Sequence, residues 1–222
     1  MLLNLRHPRI IRAKETNSMY ARFFKRIIDL CIGVVALPIV ALLVLILGPC
    51  IYFEDKGPVF YNAPRVGRNG REFKMYKFRS MKTNSPDLTM PDGSTYNGID
   101  DPRMTRCGSF MRKTSLDEFP QFLNVLNGTM SVVGPRPDLV REVELYQGNE
   151  SDKLKVKPGI TGYAAVYGKR NASAWHDRLK LDVYYVHHLS FWVDVKIFFK
   201  TFSTVFKQEG IYIDDDQTKG QE

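Results

Sequence analysis

The sequence predicts an α+β fold: a mainly helical, monotopic membrane protein with a re-entrant N-terminal helix and a small β-hairpin. Three observations predict it. Every residue from Leu30 to Phe53 is uncharged, strand-like segments flank Asn69-Gly70, and apolar residues recur at helical spacing from Phe191 to Val205. The chain of 222 residues is long enough for one domain and an additional membrane segment.

The uncharged stretch predicts a membrane helix. At the rise of an α-helix it would extend about 36 Å, enough to cross a bilayer core of about 30 Å. Basic residues flank it on both sides, and positive charge marks the cytoplasmic side, so both flanks favour the same side. Pro38 would kink the helix because it removes a hydrogen bond. We therefore predict a re-entrant helix over residues 20–53, and an ordinary span with a tolerated proline is the alternative.

The rest of the chain divides by composition. Residues 1–19 are polar and basic and predict an arm at the membrane surface. Residues 54–210 would form a cytoplasmic catalytic domain with interfacial helices. The apolar stripe from Phe191 to Val205 can lie in the membrane interface or pack on the core. Residues 211–222 are predicted to be an acidic tail.

Charge and cysteine content bound the partners and the compartment. The formal charge of +8 and the pI near 9.3 suit anionic partners, whether lipid headgroups, nucleotides or nucleic acid. Nucleic acid is disfavoured because the cations are scattered and no recognition module is visible. The three cysteines are odd in number and two lie in the apolar stretch, so a reducing compartment without a disulfide framework is expected.

The candidate site centres on two adjacent acids, Asp117 and Glu118. They lie between the basic pair Arg112-Lys113 and Arg136. Arginine and lysine can neutralise phosphate oxygens, and a carboxylate can act as nucleophile, base or metal ligand. This composition suits a site for a phosphorylated ligand.

The same stretch also fits a helix cap. In Ser115-Leu116-Asp117-Glu118, Ser115 would cap a helix and Glu118 would reach back to the Ser115 amide. With Asp117 as the cap instead, Pro120 falls inside the first turn, where proline is tolerated. A helix is predicted to start here in either case. Because a helix N-terminus favours an ionised carboxylate, cap and catalyst are compatible, and both remain open.

Two further cations lie on a predicted strand. Val59–Tyr61 and Phe73–Met81 flank Asn69-Gly70, a pair that favours a tight hairpin turn. Alternation along the second strand places Lys77 and Arg79 on one face, about 7 Å apart. Two cations so placed can clamp a diphosphate, and a solvated edge strand protected by charge is the alternative.

Arg136 and Asp182 complete the set of candidates. Prolines on both sides of Arg136 restrict its backbone, so its guanidinium can be held ready for a phosphate; a purely structural turn is the alternative. Arg178 and Asp182 form an i,i+4 pair of the kind that is typical of a solvated helix face.

Several ordered motifs carry a family resemblance. They are Lys77–Met81, Thr114–Gln121, Asn124–Gly128, Met130–Pro137, Lys157–Gly162 and Leu181–Val186. Together they resemble the bacterial sugar transferases known as monotopic polyprenyl-phosphate phosphoglycosyl transferases, in the small single-domain form. The resemblance covers about residues 20 to 210. The sequence departs from the family pattern at Phe119, where leucine is usual, and at Leu37 before Pro38, where serine is often found.

The resemblance implies transfer of a sugar 1-phosphate from a UDP-sugar to a polyprenyl phosphate, with release of UMP and with Mg²⁺, as the first step of glycoconjugate assembly. It also implies a bacterial inner-membrane protein with its catalytic domain on the cytoplasmic face. Asp117 would form a phosphosugar-aspartyl intermediate and contact the metal, and Glu118 would assist as a base or as a neighbour of the metal. Phosphate contacts are expected from Lys77, Arg79, Arg112 and Arg136, while the role of Asp182 stays open.

A protein of another class is the alternative to this enzyme. It would be a basic membrane-surface binding protein without chemistry, in which Asp117 and Glu118 only cap a helix. The sequence does not indicate which sugar or polyprenyl length is used, or the oligomeric state.

Overall fold

A computed structural model describes residues 19–90, 93, 95, 96, 98, 101–168 and 175–206. The predicted acidic tail and all but the last residue of the predicted basic arm lie outside these residues. The protein is a mixed and mostly helical one, with a long apolar N-terminal helix and two small sheets, which confirms the coarse prediction.

The first element in the described part of the chain is a π-helical turn, Tyr20–Phe24, that leads directly into helix α1, Lys25–Asp55. Tyr20–Asp55 is long and apolar enough to cross a membrane, by length and composition. Helix α1 continues through Pro38 and Pro49, and it ends before Lys56, which adopts a left-handed conformation with φ of 46°.

One face of α1 packs on the protein and the others are exposed. The packed stripe is buried at Gly33, Ala36, Val40, Leu47 and Ile51. At Gly33 a Cβ would lie 2.8 Å from a methyl group of Leu126, so a larger residue there would displace that leucine side chain. The outer faces carry large apolar side chains such as Val35 and Leu45, which are 72% and 73% exposed.

Both ends of α1 contact the domain that follows it. Near the N-terminal end Lys25 forms an ion pair with Asp194, and Arg26 donates to the carbonyl oxygen of Leu126 at 2.9 Å. Near the C-terminal end the Glu54 carboxylate accepts from the backbone amides of Arg106 and Cys107, at 2.6 and 3.0 Å. The helix is therefore held at two places along its length.

The domain that follows contains four short strands and six helices within the described residues. The strands are β1 Ala63–Val66, β2 Glu72–Met75, β3 Ser131–Val133 and β4 Gly159–Thr161. The helices are α2 Arg106–Thr114, α3 Gln121–Asn127, α4 Val140–Val143, α5 Tyr163–Tyr167, α6 Trp175–His188 and α7 Phe191–Phe206, with 3₁₀ turns at Arg68–Gly70, Leu116–Glu118 and Glu150–Lys155. Strands β3 and β4 pair in parallel.

The predicted hairpin is present, but its strands are shifted and short. Strands β1 and β2 pair antiparallel from Ala63 with Met75 to Val66 with Glu72. Asn69 and Gly70 adopt φ of 60° and 74° in the turn, as the Asn-Gly pair predicts. Outside this ladder Phe60 and Phe78 form an isolated bridge. Lys77 and Arg79 therefore follow the strand and do not lie on its face.

Two apolar clusters position the site. The larger one joins β3, α3, α6 and α7 around the fully buried Val125, Met130, Tyr185 and Ile197. The smaller one joins the C-terminal part of α1 to α2 through Phe78 and Met111, which are also fully buried. Helix α7 was predicted either to pack on the core or to lie in the membrane interface. Its Ile197 packs in the core, while Trp192, Phe199 and Phe202 are exposed.

Candidate active site

The dyad lies in the turn between α2 and α3. Ser115 ends α2 in a left-handed conformation with φ of 56°, and the 3₁₀ turn Leu116–Glu118 follows. Ser115 makes no capping hydrogen bond through its side chain, so the predicted capping box is wrong. The physical reason is that Ser115 closes the preceding helix. A helix does follow the dyad, but α3 begins only at Gln121 after Pro120, so neither Ser115 nor Asp117 caps it.

Asp117 is the centre of the site. It is 2% exposed, and its Oδ2 atom lies 2.7 Å from Nζ of Lys77. The main chains of the two segments are also joined, since the amide of Phe78 donates to the carbonyl oxygen of Asp117 at 3.0 Å. The ion pair is thus fixed by a backbone hydrogen bond next to it.

A buried amide side chain fixes the segment that carries Lys77. Asn124, in α3, is fully buried. Its Oδ1 accepts from the amide of Tyr76, and its Nδ2 donates to the carbonyl of Lys74, each at 2.8 Å. The amide thereby satisfies two backbone groups that a neighbouring strand would otherwise bind. It holds the end of β2 against the helix that follows the dyad.

The second acid has its own cation. Oε1 of Glu118 lies 3.1 Å from Nη1 of Arg136 and 4.0 Å from Nζ of Lys77. The negative charge of Glu118 raises the pKa of Arg136. The Arg136 side chain is 58% exposed, whereas that of Glu118 is 12% exposed. We call Lys77, Asp117, Glu118 and Arg136 the dyad cluster; it pairs two acids with two cations.

Arg79 is directed elsewhere. Its guanidinium lies 3.2 Å from the Asp55 carboxylate and donates to the carbonyl of Ile51 at 3.2 Å, at the C-terminal end of α1. Lys77 and Arg79 therefore pair with different acids, and the predicted clamp on one strand face is not formed, because the strand ends at Met75. A phosphate contact by either cation stays a prediction.

A cavity of about 640 Å³ brings the predicted residues together. Its lining includes both acids of the dyad, all four predicted phosphate-binding cations and Asp182. Ten basic side chains line it against six acidic ones. The basic ones are Arg65, Lys77, Arg79, Lys82, Arg103, Arg112, Arg136, Arg141, Lys153 and Arg178, and the acidic ones are Asp87, Asp117, Glu118, Asp138, Glu142 and Asp182. The excess of cations suits an anionic ligand.

Asp182 lies in a second, buried group of charges. Nζ of Lys153 is 3.0 Å from Oδ2 of Asp182 and 2.6 Å from Oδ2 of Asp138, which also accepts from the Tyr146 hydroxyl at 2.5 Å. Lys153 and Asp182 are each 3% exposed. We call these four residues the buried cluster. The interpretation of Asp182 as part of a solvated helix face is wrong, because its side of α6 faces the protein interior.

The buried cluster has two acids and one cation, which changes its titration. Burial raises the pKa of Asp182 to about 6, although Lys153 acts in the opposite direction. Burial alone would lower the pKa of Lys153, but Asp138 and Asp182 raise it above its ordinary value. Sequence reasoning missed Asp138, although it directly follows Arg136-Pro137. It also missed Lys153, which lies in a charged run that reads as surface.

Comparisons with known proteins identify the family of this chain. The family model described as bacterial sugar transferase matches residues 20–208. EpsL of Bacillus subtilis, an uncharacterised sugar transferase, is 39% identical over 189 residues, which are 84% of this chain and 89% of EpsL. The chain belongs to the bacterial sugar transferase family.

Two relatives have more specific names. The galactosyl transferase CpsE of Streptococcus agalactiae is 40% identical over 193 residues, which are 84% of this chain and 43% of CpsE. A UDP-glucose:undecaprenyl-phosphate glucose-1-phosphate transferase of Escherichia coli is 40% identical over 193 residues, which are 84% of this chain and 40% of that protein. The chain thus spans less than half the length of these two relatives.

Proposed function

We propose that this protein is a phosphoglycosyl transferase that moves a sugar 1-phosphate from a UDP-sugar to a polyprenyl phosphate and releases UMP. The observation that carries the proposal is the dyad cluster: a buried aspartate beside a lysine ammonium, in a cation-rich cavity that a nucleotide sugar can enter. A cavity of about 640 Å³ lies within the size range of small-molecule sites, roughly 300–1,000 Å³. The names of the relatives support the same chemistry.

In the first step, a carboxylate oxygen of Asp117 attacks the phosphorus that bears the sugar. The bond from this phosphorus to the bridging oxygen breaks, and UMP leaves with the electron pair. A mixed anhydride between Asp117 and the sugar phosphate remains. Lys77 and the half-exposed Arg136 are the cations nearest the two acids, and they offset the charge on the phosphate oxygens.

In the second step, an oxygen of the polyprenyl phosphate attacks the same phosphorus. The bond to the Asp117 oxygen breaks, the carboxylate is restored, and a polyprenyl diphosphate sugar forms. Glu118, held by Arg136 at 3.1 Å, is the group that would assist as a base.

The residues present fit a magnesium ion whose remaining ligands come from the substrate and from water. Among the described residues no group of three or more His, Cys, Asp or Glu side chains could hold a metal by itself. Mg²⁺, however, commonly takes one or two carboxylates and fills its other positions with substrate phosphates and water. Asp117 and Glu118 would hold it, and it would supply charge neutralisation at the diphosphate.

The contacts of α1 support a monotopic arrangement on the cytoplasmic face of the bacterial inner membrane, with a re-entrant helix. A straight helix from Lys25 to Asp55 would be about 45 Å long, and a span would separate its ends by a bilayer core of about 30 Å. Yet both ends contact one domain, through Lys25 with Asp194 and through Glu54 with the start of α2. An arrangement with both ends on one side satisfies these contacts and the basic flanks.

This arrangement can be tested by cysteine labelling. Arg22→Cys and Lys56→Cys, placed singly in a chain without native cysteines, should react with a membrane-impermeant reagent from the same side of sealed vesicles. Labelling from opposite sides would contradict the re-entrant helix.

The non-catalytic alternative treats the dyad as a helix cap, and the missing side-chain capping bonds at the 3₁₀ turn and at α3 favour the enzyme instead. The decisive experiment is Asp117→Asn, with UMP release measured across a panel of UDP-sugars with undecaprenyl phosphate. We expect a loss of at least about 10³-fold, because the nucleophile is removed. Asp177→Asn is the control, since this exposed residue pairs with Lys180 outside the cavity. Release at the wild-type rate by Asp117→Asn would refute the proposal.

A further inference from the structure

One face of α6 forms part of the wall of the cavity. Trp175, Arg178, Leu179 and Asp182 recur at helical spacing, and all four line the cavity. Trp175 and Leu179 are 4% and 1% exposed, so this wall packs closely beside the carboxylate of Asp182. A ligand group that reaches this wall is removed from contact with water.

The Asp182 carboxylate presents an unused acceptor there. Its Oδ2 atom pairs with Lys153 at 3.0 Å, whereas no group in the described part of the chain donates a hydrogen bond to its Oδ1 atom, which is buried. Asp182 as a whole is 3% exposed. A buried acceptor without a donor carries a free-energy cost, and a ligand donor that reaches it removes that cost.

The chemistry of this atom selects the ligand group. A carboxylate only accepts hydrogen bonds when it is ionised, so it repels a phosphate and binds a hydroxyl or amide donor. The dyad cluster supplies the cations at its own part of the cavity. If the diphosphate lies there, the hydroxyl groups attached to it extend away from those cations.

We propose that Oδ1 of Asp182 accepts a hydrogen bond from a hydroxyl group of the donor nucleotide sugar, supplied by its ribose or by its transferred sugar. This inference rests on the proposed function and names a subsite within the same cavity. The polyprenyl phosphate has no hydroxyl group on its chain. Asp182 therefore acts in binding the first substrate and has no part in binding the second.

Binding measurements test the subsite directly. Isothermal titration in detergent compares UDP, UDP-glucose and UDP-galactose with the wild-type protein, Asp182→Ala and Asp182→Asn. Loss of a hydrogen bond to a charged acceptor should weaken binding roughly tenfold in Asp182→Ala. Asp182→Asn keeps the shape and a neutral acceptor, so it should lose less. Asp177→Asn, on the same helix but exposed, should bind as the wild type does.

The probes distinguish the two sources of the hydroxyl. If the ribose supplies it, UDP itself binds more weakly to Asp182→Ala, and the wild-type protein binds 2′-deoxy-UDP or 3′-deoxy-UDP more weakly than UDP. If the transferred sugar supplies it, UDP is unaffected and only the UDP-sugars lose affinity. In either case the KM for the UDP-sugar should rise, while the KM for undecaprenyl phosphate should not.

Two results would overturn the inference. Wild-type affinity for UDP and both UDP-sugars in folded Asp182→Ala would remove the subsite and leave the proposed function intact. Failure of the wild-type protein to bind any of these nucleotides would remove both together. If Asp182→Ala does not fold, Asp182→Asn is compared with the wild type instead, because it creates no cavity, and wild-type affinity of Asp182→Asn for UDP and both UDP-sugars would then overturn the inference.

Discussion

The dyad cluster and the buried cluster use the same groups in different proportions. Asp117 and Glu118 have two cations, Lys77 and Arg136, and one of those cations is 58% exposed. Asp138 and Asp182, in contrast, share the single ammonium of Lys153, which is 3% exposed. The first cluster reaches solvent through Arg136, whereas the second is closed and pairs two acids with one lysine.

This difference in exposure indicates what each cluster can do. In the dyad cluster the exposed guanidinium of Arg136 can contact a phosphate while it keeps its ion pair with the buried Glu118. In the buried cluster, burial raises the pKa of Asp182, and Oδ1 of Asp182 has no hydrogen-bond donor among the described residues. Reaction suits the first environment, and recognition of a neutral donor group suits the second.

The largest effect is expected from breaking the buried cluster. Lys153→Met leaves two buried carboxylates without their cation and should lower the free energy of unfolding by about 3–5 kcal/mol. Chemical denaturation in a fixed detergent measures it, with the exposed Lys180→Met as the control. An unchanged denaturation midpoint for Lys153→Met would show that the cluster is not a unit.

The next effect concerns the dyad cluster and is catalytic. Lys77→Met removes the cation 2.7 Å from Asp117 and should lower the rate of UMP release about 100-fold, or roughly 2.7 kcal/mol in activation free energy. Lys77→Arg keeps the charge and should recover part of the rate. If Lys77→Met lowers stability as much as Lys153→Met but leaves the rate unchanged, the roles of the two clusters are reversed.

The third prediction follows from the titration of Asp182. Its pKa in the folded protein is about 6, above the ordinary value of 3.8, so its contribution to stability is present at low pH and is lost as pH rises through about 6. Asp182→Asn does not ionise. Its stability relative to the wild type should therefore increase by about 1–3 kcal/mol between pH 4.5 and pH 7.5. Melting curves across this range measure it, and a pH-independent difference would contradict the raised pKa.

The smallest effect is expected at the exposed cation. Arg136→Lys keeps a positive charge but loses the planar fork that can bind Glu118 and a phosphate together. We expect the KM for the UDP-sugar to rise about threefold to tenfold, with no change in melting temperature, because a half-exposed pair contributes at most about 1 kcal/mol. Steady-state kinetics at two salt concentrations test this, and a large fall in melting temperature would contradict it.

Much of the fold followed from local patterns. The apolar helix was visible as an unbroken uncharged stretch, and the hairpin turn was visible because Asn69 and Gly70 tolerate a positive φ. The strand lengths were not visible. At the end of β2 the side chain of Asn124, which is distant in sequence, bonds to the backbone of Lys74 and Tyr76. No local sequence pattern predicts these two hydrogen bonds, because Asn124 is distant in the sequence.

The site was predictable in its residues and less so in its pairings. Asp117, Glu118 and the cations around them were found from their composition, and the structure gathers them in one cavity. The prediction that Ser115 caps the following helix was wrong because Ser115 is the C-terminal cap of α2. The burial of Asp182 was missed because an i,i+4 pair with Arg178 reads the same on an exposed and on a buried face.

The sequence by itself determined the features that depend on a few neighbouring residues: the long apolar helix, the tight turn, the presence of a helix close to the dyad and the adjacency of the two acids. Only the tertiary structure decided which charges share a partner. It brought Lys77 to Asp117, Arg136 to Glu118, and Lys153 to both of its acids. Backbone sterics and hydrophobic periodicity act over one or two turns, whereas the energy of a charge depends on its distance to other charges and on its burial, and both arise only when the chain is packed.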